Sequence, residues 1–173
     1  MKKVLQIIFP VLLLPVFIQA QGPVKKVYAY SRNFIAGKPT IKAAIGAKPV
    51  ISAVPTRTEY YLFIEGDIDT AEFKCTAVWI NKKSYAVAGF KKIDVPYSLD
   101  LKTVDGKKVK ELVPKSEVMV LQIWPGKTDK SSPGKQLRQL TTLNKLVLEI
   151  VYKQKKYYPR KKSITALPAA EDV

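Results

Sequence analysis

The chain has 173 residues, with 30 Lys and Arg against 14 Asp and Glu, which gives a formal charge of +16. It contains one cysteine and no histidine. These counts exclude Ser-His-Asp and Cys-His hydrolysis, zinc sites built from histidine or several thiolates, and an internal disulfide. The positive charge predicts anionic counterparts such as membrane head groups, acidic polysaccharide or an acidic protein, although much of it could serve only solubility.

The N-terminus has the order of a secretory leader. Two lysines precede an apolar run over residues 4–18, and small residues follow at Ala20 and Gly22. The run is shorter than the roughly 20 residues that a spanning helix needs, and two prolines interrupt it. We therefore predict a signal peptide over residues 1–20, no transmembrane segment after its removal, and an exported protein in the periplasm or outside the cell.

After the leader, short runs rich in β-branched and aromatic residues are separated by turn residues. Residues 97–103 alternate between apolar and polar, and Asp105-Gly106 before the next run predicts a hairpin. A helix is predicted to begin at Ser132-Pro133, with Ser132 as its cap, because Leu137, Leu140 and Leu143 recur every three residues. Strands are predicted over residues 59–65, 73–80, 84–90, 97–103, 107–113, 117–124 and 145–152.

Strand, turn and strand at this spacing are typical of an antiparallel sandwich or of a sheet closed on itself. We predict an all-β fold, an antiparallel immunoglobulin-like β-sandwich with one short helix. The domain is expected over residues 21–165, followed by a flexible C-terminal tail over residues 166–173.

The stretch EGDIDTAE concentrates the acids Glu65, Asp67, Asp69 and Glu72. Carboxylates gathered in one turn are typical ligands of Ca²⁺, but the spacing does not match an EF-hand. The alternative is a solvated turn between two strands, in which neighbouring lysines balance the charge. A pair of carboxylates for glycoside hydrolysis could also lie among these acids.

The aromatic residues suggest one candidate sugar-binding position. Trp79 lies in the run FKCTAVWI, where alternation predicts that Phe73, Cys75, Ala77 and Trp79 share one buried face. Trp124 instead ends a strand beside a Pro-Gly pair. It could therefore be exposed as a platform on which a carbohydrate ring stacks.

The segment VYKQKKYYPRKKS, residues 151–163, is the most basic part of the chain. Cations with interleaved aromatic rings are typical of nucleic-acid surfaces, but an exported protein meets little nucleic acid, and none is expected as a partner. Lysines can also flank an edge strand and block unwanted strand pairing. We predict that the segment turns at residues 153–156 and forms an exposed basic rim for an anionic partner. The predicted rim residues are Lys153, Lys155, Lys156, Tyr157, Tyr158, Arg160, Lys161 and Lys162.

Together these features predict an exported, non-catalytic binding or structural module of a bacterial cell envelope, without a cofactor. Its partner would be an envelope protein or an anionic glycan or lipid head group. The step from a sandwich fold to a binding function is an analogy, because such folds carry many functions. A carbohydrate-binding module, with or without Ca²⁺, and a small hydrolase that uses carboxylates are the alternatives.

Overall fold

The computed structural model describes residues 22–36, 55–103 and 106–172. The predicted leader, residues 1–20, lies outside them. The strands are β1 (Val24–Ala36), β2 (Pro55–Gly66), β3 (Phe73–Ile80), β4 (Lys83–Lys92), β5 (Tyr97–Thr103), β6 (Gly106–Val113), β7 (Met119–Asp129), β8 (Leu146–Tyr152), β9 (Lys155–Tyr157), β10 (Arg160–Lys161), β11 (Thr165–Ala166) and β12 (Ala170–Asp172). A 3-10 turn spans Thr70–Glu72, and the helix α1 spans Lys135–Leu143.

Most of the described strands belong to one curled sheet. Their order is β10-β8-β3-β4-β7-β2-β1-β11, with β9 also paired to β8 and β12 to β1. The pairings from β1 through to β10 are antiparallel, whereas β11 and β12 run parallel to β1. The second sheet is the β5–β6 hairpin. The prediction of a mainly antiparallel all-β fold with one helix is therefore confirmed.

Three apolar clusters hold the sheet and its attachments together. The first, here called the inner cluster, lies on one face of the sheet and contains Leu62, Ile64 and Leu148, each fully buried. The hairpin cluster lies on the opposite face, where Phe63 packs beneath β5 and β6. The helix cluster joins α1 to the sheet through Leu137. Consecutive residues of β2 are therefore buried on opposite faces, as its nearly continuous apolar sequence predicts.

A bulge in β3 changes which side chains share a face. The register with β8 shifts between Cys75 and Ala77. Phe73 and Cys75 pack in or against the inner cluster, whereas Ala77 and Trp79 belong to the helix cluster. One extra residue in a strand reverses the alternation beyond it. The prediction that these four residues share one face is therefore wrong for Ala77 and Trp79.

Two tight turns have the backbone that a two-residue hairpin requires. Asn81 and Lys82 link β3 to β4 with φ of 49° and 69°, and Lys153 and Gln154 link β8 to β9 with φ of 47° and 62°. Positive φ at both central positions matches the twist of the flanking strands. The turn predicted within residues 153–156 is thus confirmed and is two residues long.

The helix is present where leucines recur, but it begins later than predicted. Gly134 occupies the N-cap position and offers no side-chain hydrogen bond. Ser132 and Pro133 lie before the helix, so the prediction of a Ser132 cap is wrong. Within the described residues, no helix combines the length and the apolar character that crossing a membrane requires.

The C-terminal segment, predicted as a flexible tail over residues 166–173, contacts β1 in the structure. β11 and β12 pair with β1, and the Leu167 N–H donates to the Ser31 carbonyl at 2.8 Å. Leu167 is buried in the hairpin cluster, and Arg32 Nε donates to the Pro168 carbonyl at 3.3 Å. One buried leucine and backbone pairing therefore connect this segment to the sheet, and its flexibility stays a prediction.

Candidate functional site

The two ends of the curled sheet approach each other without pairing along part of their length. β9 and β10 lie on the outer edge of β8, and β1 lies at the other end of the sheet. An even number of antiparallel pairings separates β1 from β10, so the two strands run in the same direction. Among the described strands, β11 and β12 cover this edge of β1 only from Tyr30 onward. The earlier part of β1 therefore faces a gap.

Two contacts cross this gap, one at each of its ends. Lys161 Nζ donates to the Val27 carbonyl at 3.0 Å. At the other end, Gly22 has a φ of 64°, and a Cβ atom there would overlap the Tyr157 ring. Glycine is needed at this position both for its backbone conformation and for the close approach of the ring.

Between these contacts lies a cavity of about 380 Å³, here called the basic groove. Its lining residues come from the start of β1, from α1 and from the β9–β10 segment. They are Val24, Lys25, Lys26, Val27, Gln136, Leu140, Lys156, Tyr157, Tyr158, Pro159 and Arg160. Among these described lining residues, four are cationic and none is acidic.

Acids just outside the basic groove partly balance its cations. Lys25 Nζ lies 2.6 Å from an Asp67 carboxylate oxygen, in a pair whose two side chains are exposed. Lys156 Nζ lies 2.9 Å from Glu149 Oε1, and this hydrogen bond raises the pKa of Lys156. Lys26 Nζ lies 4.9 Å from the centre of the Tyr28 ring. An exposed pair such as Lys25 with Asp67 contributes little to stability.

The floor of the basic groove is apolar. Val24 belongs to the inner cluster, and Tyr157 packs against that cluster. Leu140 and Tyr158 pack against the helix cluster. The groove thus combines an apolar and aromatic floor with a cationic rim, which is a common composition for sites that bind small molecules.

The structure brings half of the predicted rim residues together and separates the others. Lys156, Tyr157, Tyr158 and Arg160 all line the basic groove. Pro159 lies between β9 and β10, and its carbonyl accepts from Leu148 N–H at 2.9 Å. β9 and β10 keep one register against β8 on either side of Pro159.

The other four predicted rim residues lie outside the basic groove. Lys153 lies over the Tyr152 ring, 5.5 Å from its centre, and Lys155 is exposed on β9. Lys161 holds the sheet ends together through Val27, as described above. Lys162 lines a separate depression of about 280 Å³ that also contains Lys145.

Sequence reasoning missed the contribution of β1 to the basic groove. Lys25 and Lys26 lie a few residues after the predicted leader, and they meet the 156–160 segment only through the curl of the whole sheet. The two adjacent lysines stand out in the sequence, but the neighbouring residues do not indicate which part of the chain they face.

The structure gives the acids of EGDIDTAE different surroundings. Glu65 accepts from the Tyr28 hydroxyl at 2.5 Å, and this hydrogen bond together with burial raises the pKa of Tyr28. Asp67 pairs with Lys25, and Asp69 caps the 3-10 turn by accepting from Ala71 N–H at 3.0 Å. The Glu72 carbonyl accepts from Lys153 N–H at 3.3 Å. Across the described part of the chain, no group of three or more His, Cys, Asp or Glu residues could hold a metal ion, and the Ca²⁺ site stays a prediction.

Trp124 lies in a second cavity, of about 560 Å³, here called the aromatic cleft. β2 pairs with β7 over residues 62–66, beginning at Leu62, which lies opposite Ile123. The part of β2 before Leu62 is not paired with β7, and the cleft opens there between the two strands. The cleft is lined by Thr58, Glu59, Tyr60, Tyr61, Tyr85, Gln122, Trp124, Pro125 and Gly126. Tyr60 and Tyr85 meet edge to face at 6.2 Å, and Trp124 is half-buried.

The single cysteine is structural. Cys75 is 7% exposed, and burial raises the pKa of its thiol to about 12. Because the thiolate is the reactive form, we expect the Cys75 thiol of the native protein to react only slowly with an aromatic disulfide reagent at pH 8. The same reagent should label it quickly in guanidinium chloride. Rapid labelling without denaturant would contradict the buried position.

The chain has no significant match among protein-family models, curated proteins or solved structures.

Proposed function

We propose that the protein is an exported, non-catalytic binding module of the cell envelope, and that it binds an anionic envelope component in the basic groove. The observation that carries this proposal is the meeting of Lys25 and Lys26 with Lys156 and Arg160 around two tyrosines. These residues come from opposite ends of the domain. Export and the immunoglobulin-like arrangement remain predictions from the sequence.

The electrostatics support recognition by charge. The chain carries an excess of cations, and a cleft lined by one sign of charge raises the local concentration of the opposite ion. Charges of this kind mainly accelerate association, and salt screens them beyond roughly 8 Å at physiological ionic strength. Binding should therefore weaken steeply as salt rises.

The proposal is tested on the wild-type protein with two anionic probes, heparin and vesicles that contain phosphatidylglycerol. Binding of at least one probe at low salt, with progressive release as salt is added, is the expected result. Vesicles of phosphatidylcholine alone serve as the neutral control. Equal binding to neutral and anionic vesicles, together with no retention by heparin, would refute charge recognition.

The aromatic cleft favours carbohydrate binding as a second candidate function. Four aromatic rings line it together with a few polar groups, among them Gln122 and Glu59, whose carboxylate accepts from the Tyr61 hydroxyl at 2.9 Å. That hydrogen bond and burial raise the pKa of Tyr61 to about 12, so the hydroxyl stays protonated. Of the described residues that line this cleft, Glu59 is the one carboxylate, whereas glycoside hydrolysis uses a pair.

The carbohydrate alternative predicts a fluorescence change at Trp124. The chain has two tryptophans, so Trp79→Phe leaves Trp124 as the reporter. If the cleft binds sugars, cellotetraose or chitotetraose should shift its emission, and Trp124→Ala should abolish the binding heat measured by calorimetry. Repeating the titration with Ca²⁺ and with chelator tests the metal-dependent form. If neither sugar changes the Trp124 emission or gives binding heat, with Ca²⁺ or with chelator, the carbohydrate alternative is contradicted.

A further inference from the structure

The basic groove is a bounded pocket rather than an open channel. The Gly22 contact with the Tyr157 ring closes one end, and the Lys161 hydrogen bond to Val27 closes the other. The stretch of β1 that lines it, Val24 to Val27, is four residues long, which corresponds to roughly 13 Å of extended chain. An extended polypeptide would have to displace at least one of the two closing contacts.

The depth of the pocket is apolar. Val24 is 3% exposed and belongs to the inner cluster, while Leu140 of α1 packs against the helix cluster. The pocket therefore lies where a gap in the sheet exposes the edges of two apolar clusters. A volume of about 380 Å³ lies within the range of roughly 300–1,000 Å³ that is common for small-molecule sites.

The rim of the pocket is cationic on both sides. Lys25 and Lys26 project from β1, and Lys156 and Arg160 from the facing segment. A ligand that satisfies both regions has an apolar body for the floor and a negative group for the rim. A neutral sugar would bring no negative charge to the rim, and a bare inorganic anion would leave the apolar floor empty.

We propose that the basic groove binds one small amphiphilic anion, an acidic head group on a short alkyl or aromatic body. This inference rests on the proposed function and names the class of its ligand. The apolar body lies against Val24, Leu140 and the two tyrosines. The head group lies at the rim between Lys26 and Arg160.

The test uses three probes that share one alkyl chain and differ in head-group charge: decanoate, decanol and decyltrimethylammonium. Each is titrated by calorimetry below the concentration at which it forms micelles. Decanoate is expected to bind with one molecule per chain, decanol to bind at least tenfold more weakly, and the cation to give no binding. Equal binding of all three would show simple apolar adsorption and overturn the inference.

Two matched variants locate the site. Leu140→Trp fills the pocket from α1 and should abolish decanoate binding. Leu143→Trp adds the same side chain to the same helix, at a position that is 66% exposed and outside the groove, and should bind like wild type. Lys26→Gln with Arg160→Gln should weaken decanoate binding about tenfold. Circular dichroism of each variant confirms that the fold is retained.

The outcomes separate this inference from the function on which it rests. If heparin or anionic vesicles bind in a salt-dependent way but decanoate does not, the ligand class is wrong and the proposed function stands. If decanoate binds equally to Leu140→Trp and wild type, the pocket is not its site and the inference fails. A glutamate-rich peptide that binds in a way sensitive to Leu140→Trp, without decanoate binding, would assign the groove to an extended acidic chain instead.

Discussion

Replacing Phe63 with alanine is expected to lower the free energy of unfolding by about 3–5 kcal/mol, because large-to-small changes in a packed core lose both transfer energy and packing. Phe63 is fully buried, and its ring lies 5.3 Å from that of Tyr97, centre to centre. It joins the curled sheet to the β5–β6 hairpin. A two-stranded hairpin is marginal on its own, so this contact holds the hairpin in place. Urea denaturation followed by circular dichroism gives the change.

Leu143→Ala is the control for this prediction. Leu143 is 66% exposed at the end of α1, so its truncation should change stability by less than about 0.5 kcal/mol. Hydrogen exchange in Phe63→Ala should also accelerate in β5 and β6 more than in β3 and β8. A loss within about 1 kcal/mol for Phe63→Ala, or uniform exchange, would show that the hairpin is anchored elsewhere.

Removing three charges from the basic groove is expected to reduce binding of heparin or anionic vesicles about tenfold at low salt. The variant combines Lys26→Gln, Lys156→Gln and Arg160→Gln, and so takes charge from both sides of the groove. The variant should bind more weakly mainly because it associates more slowly. The difference between variant and wild type should shrink as salt rises, because salt screens the same charges in the wild-type protein. Stopped-flow or surface-based kinetics at two salt concentrations measure this.

The matched control removes the same charge from another surface. Lys74, Lys83 and Lys92 are exposed on β3 and β4, and none of them lines the basic groove. Their triple change to glutamine should reduce binding far less than the groove variant does. Thermal unfolding of both variants excludes a general loss of structure. Equal losses in the two variants would mean that binding depends on net charge alone.

Local features of the fold could be predicted from the sequence. The β5–β6 hairpin was indicated by alternation over residues 97–103 and by the Asp105-Gly106 pair, and the β3–β4 hairpin by two apolar runs around Asn81. Each of these pairings joins residues that are close in sequence. The helix followed from its leucine repeat, although its first turn could not be placed, because Gly134 caps it without a side-chain signal.

Features that depend on distant pairing could not be predicted. β1 was missed because Lys, Ser, Arg and Asn interrupt its apolar pattern, and because residues 37–54 separate it from its partner β2. The bulge near Cys75 reverses the face of Trp79, and it is visible only in the register with β8.

The candidate site was predicted in part for the same reason. Lys156, Tyr157, Tyr158 and Arg160 stood out because they are adjacent in a basic and aromatic segment. Their groove partners on β1 lie at the opposite end of the chain, and Lys161 and Val27, whose hydrogen bond closes the groove, are 134 residues apart. Composition could indicate an anionic partner, but only the closure of the sheet defines where the cations converge.

The most direct test of the central claim is a residue-by-residue map of anion binding by NMR. The isotope-labelled protein is titrated with a short heparin oligosaccharide at low salt, and amide chemical shifts are followed. We expect the largest changes to cluster at Val24–Val27 and Lys156–Arg160 and to disappear as salt is raised. Changes centred on Lys74, Lys83 and Lys92, or spread evenly over all exposed lysines, would contradict the assignment of the basic groove as the binding site.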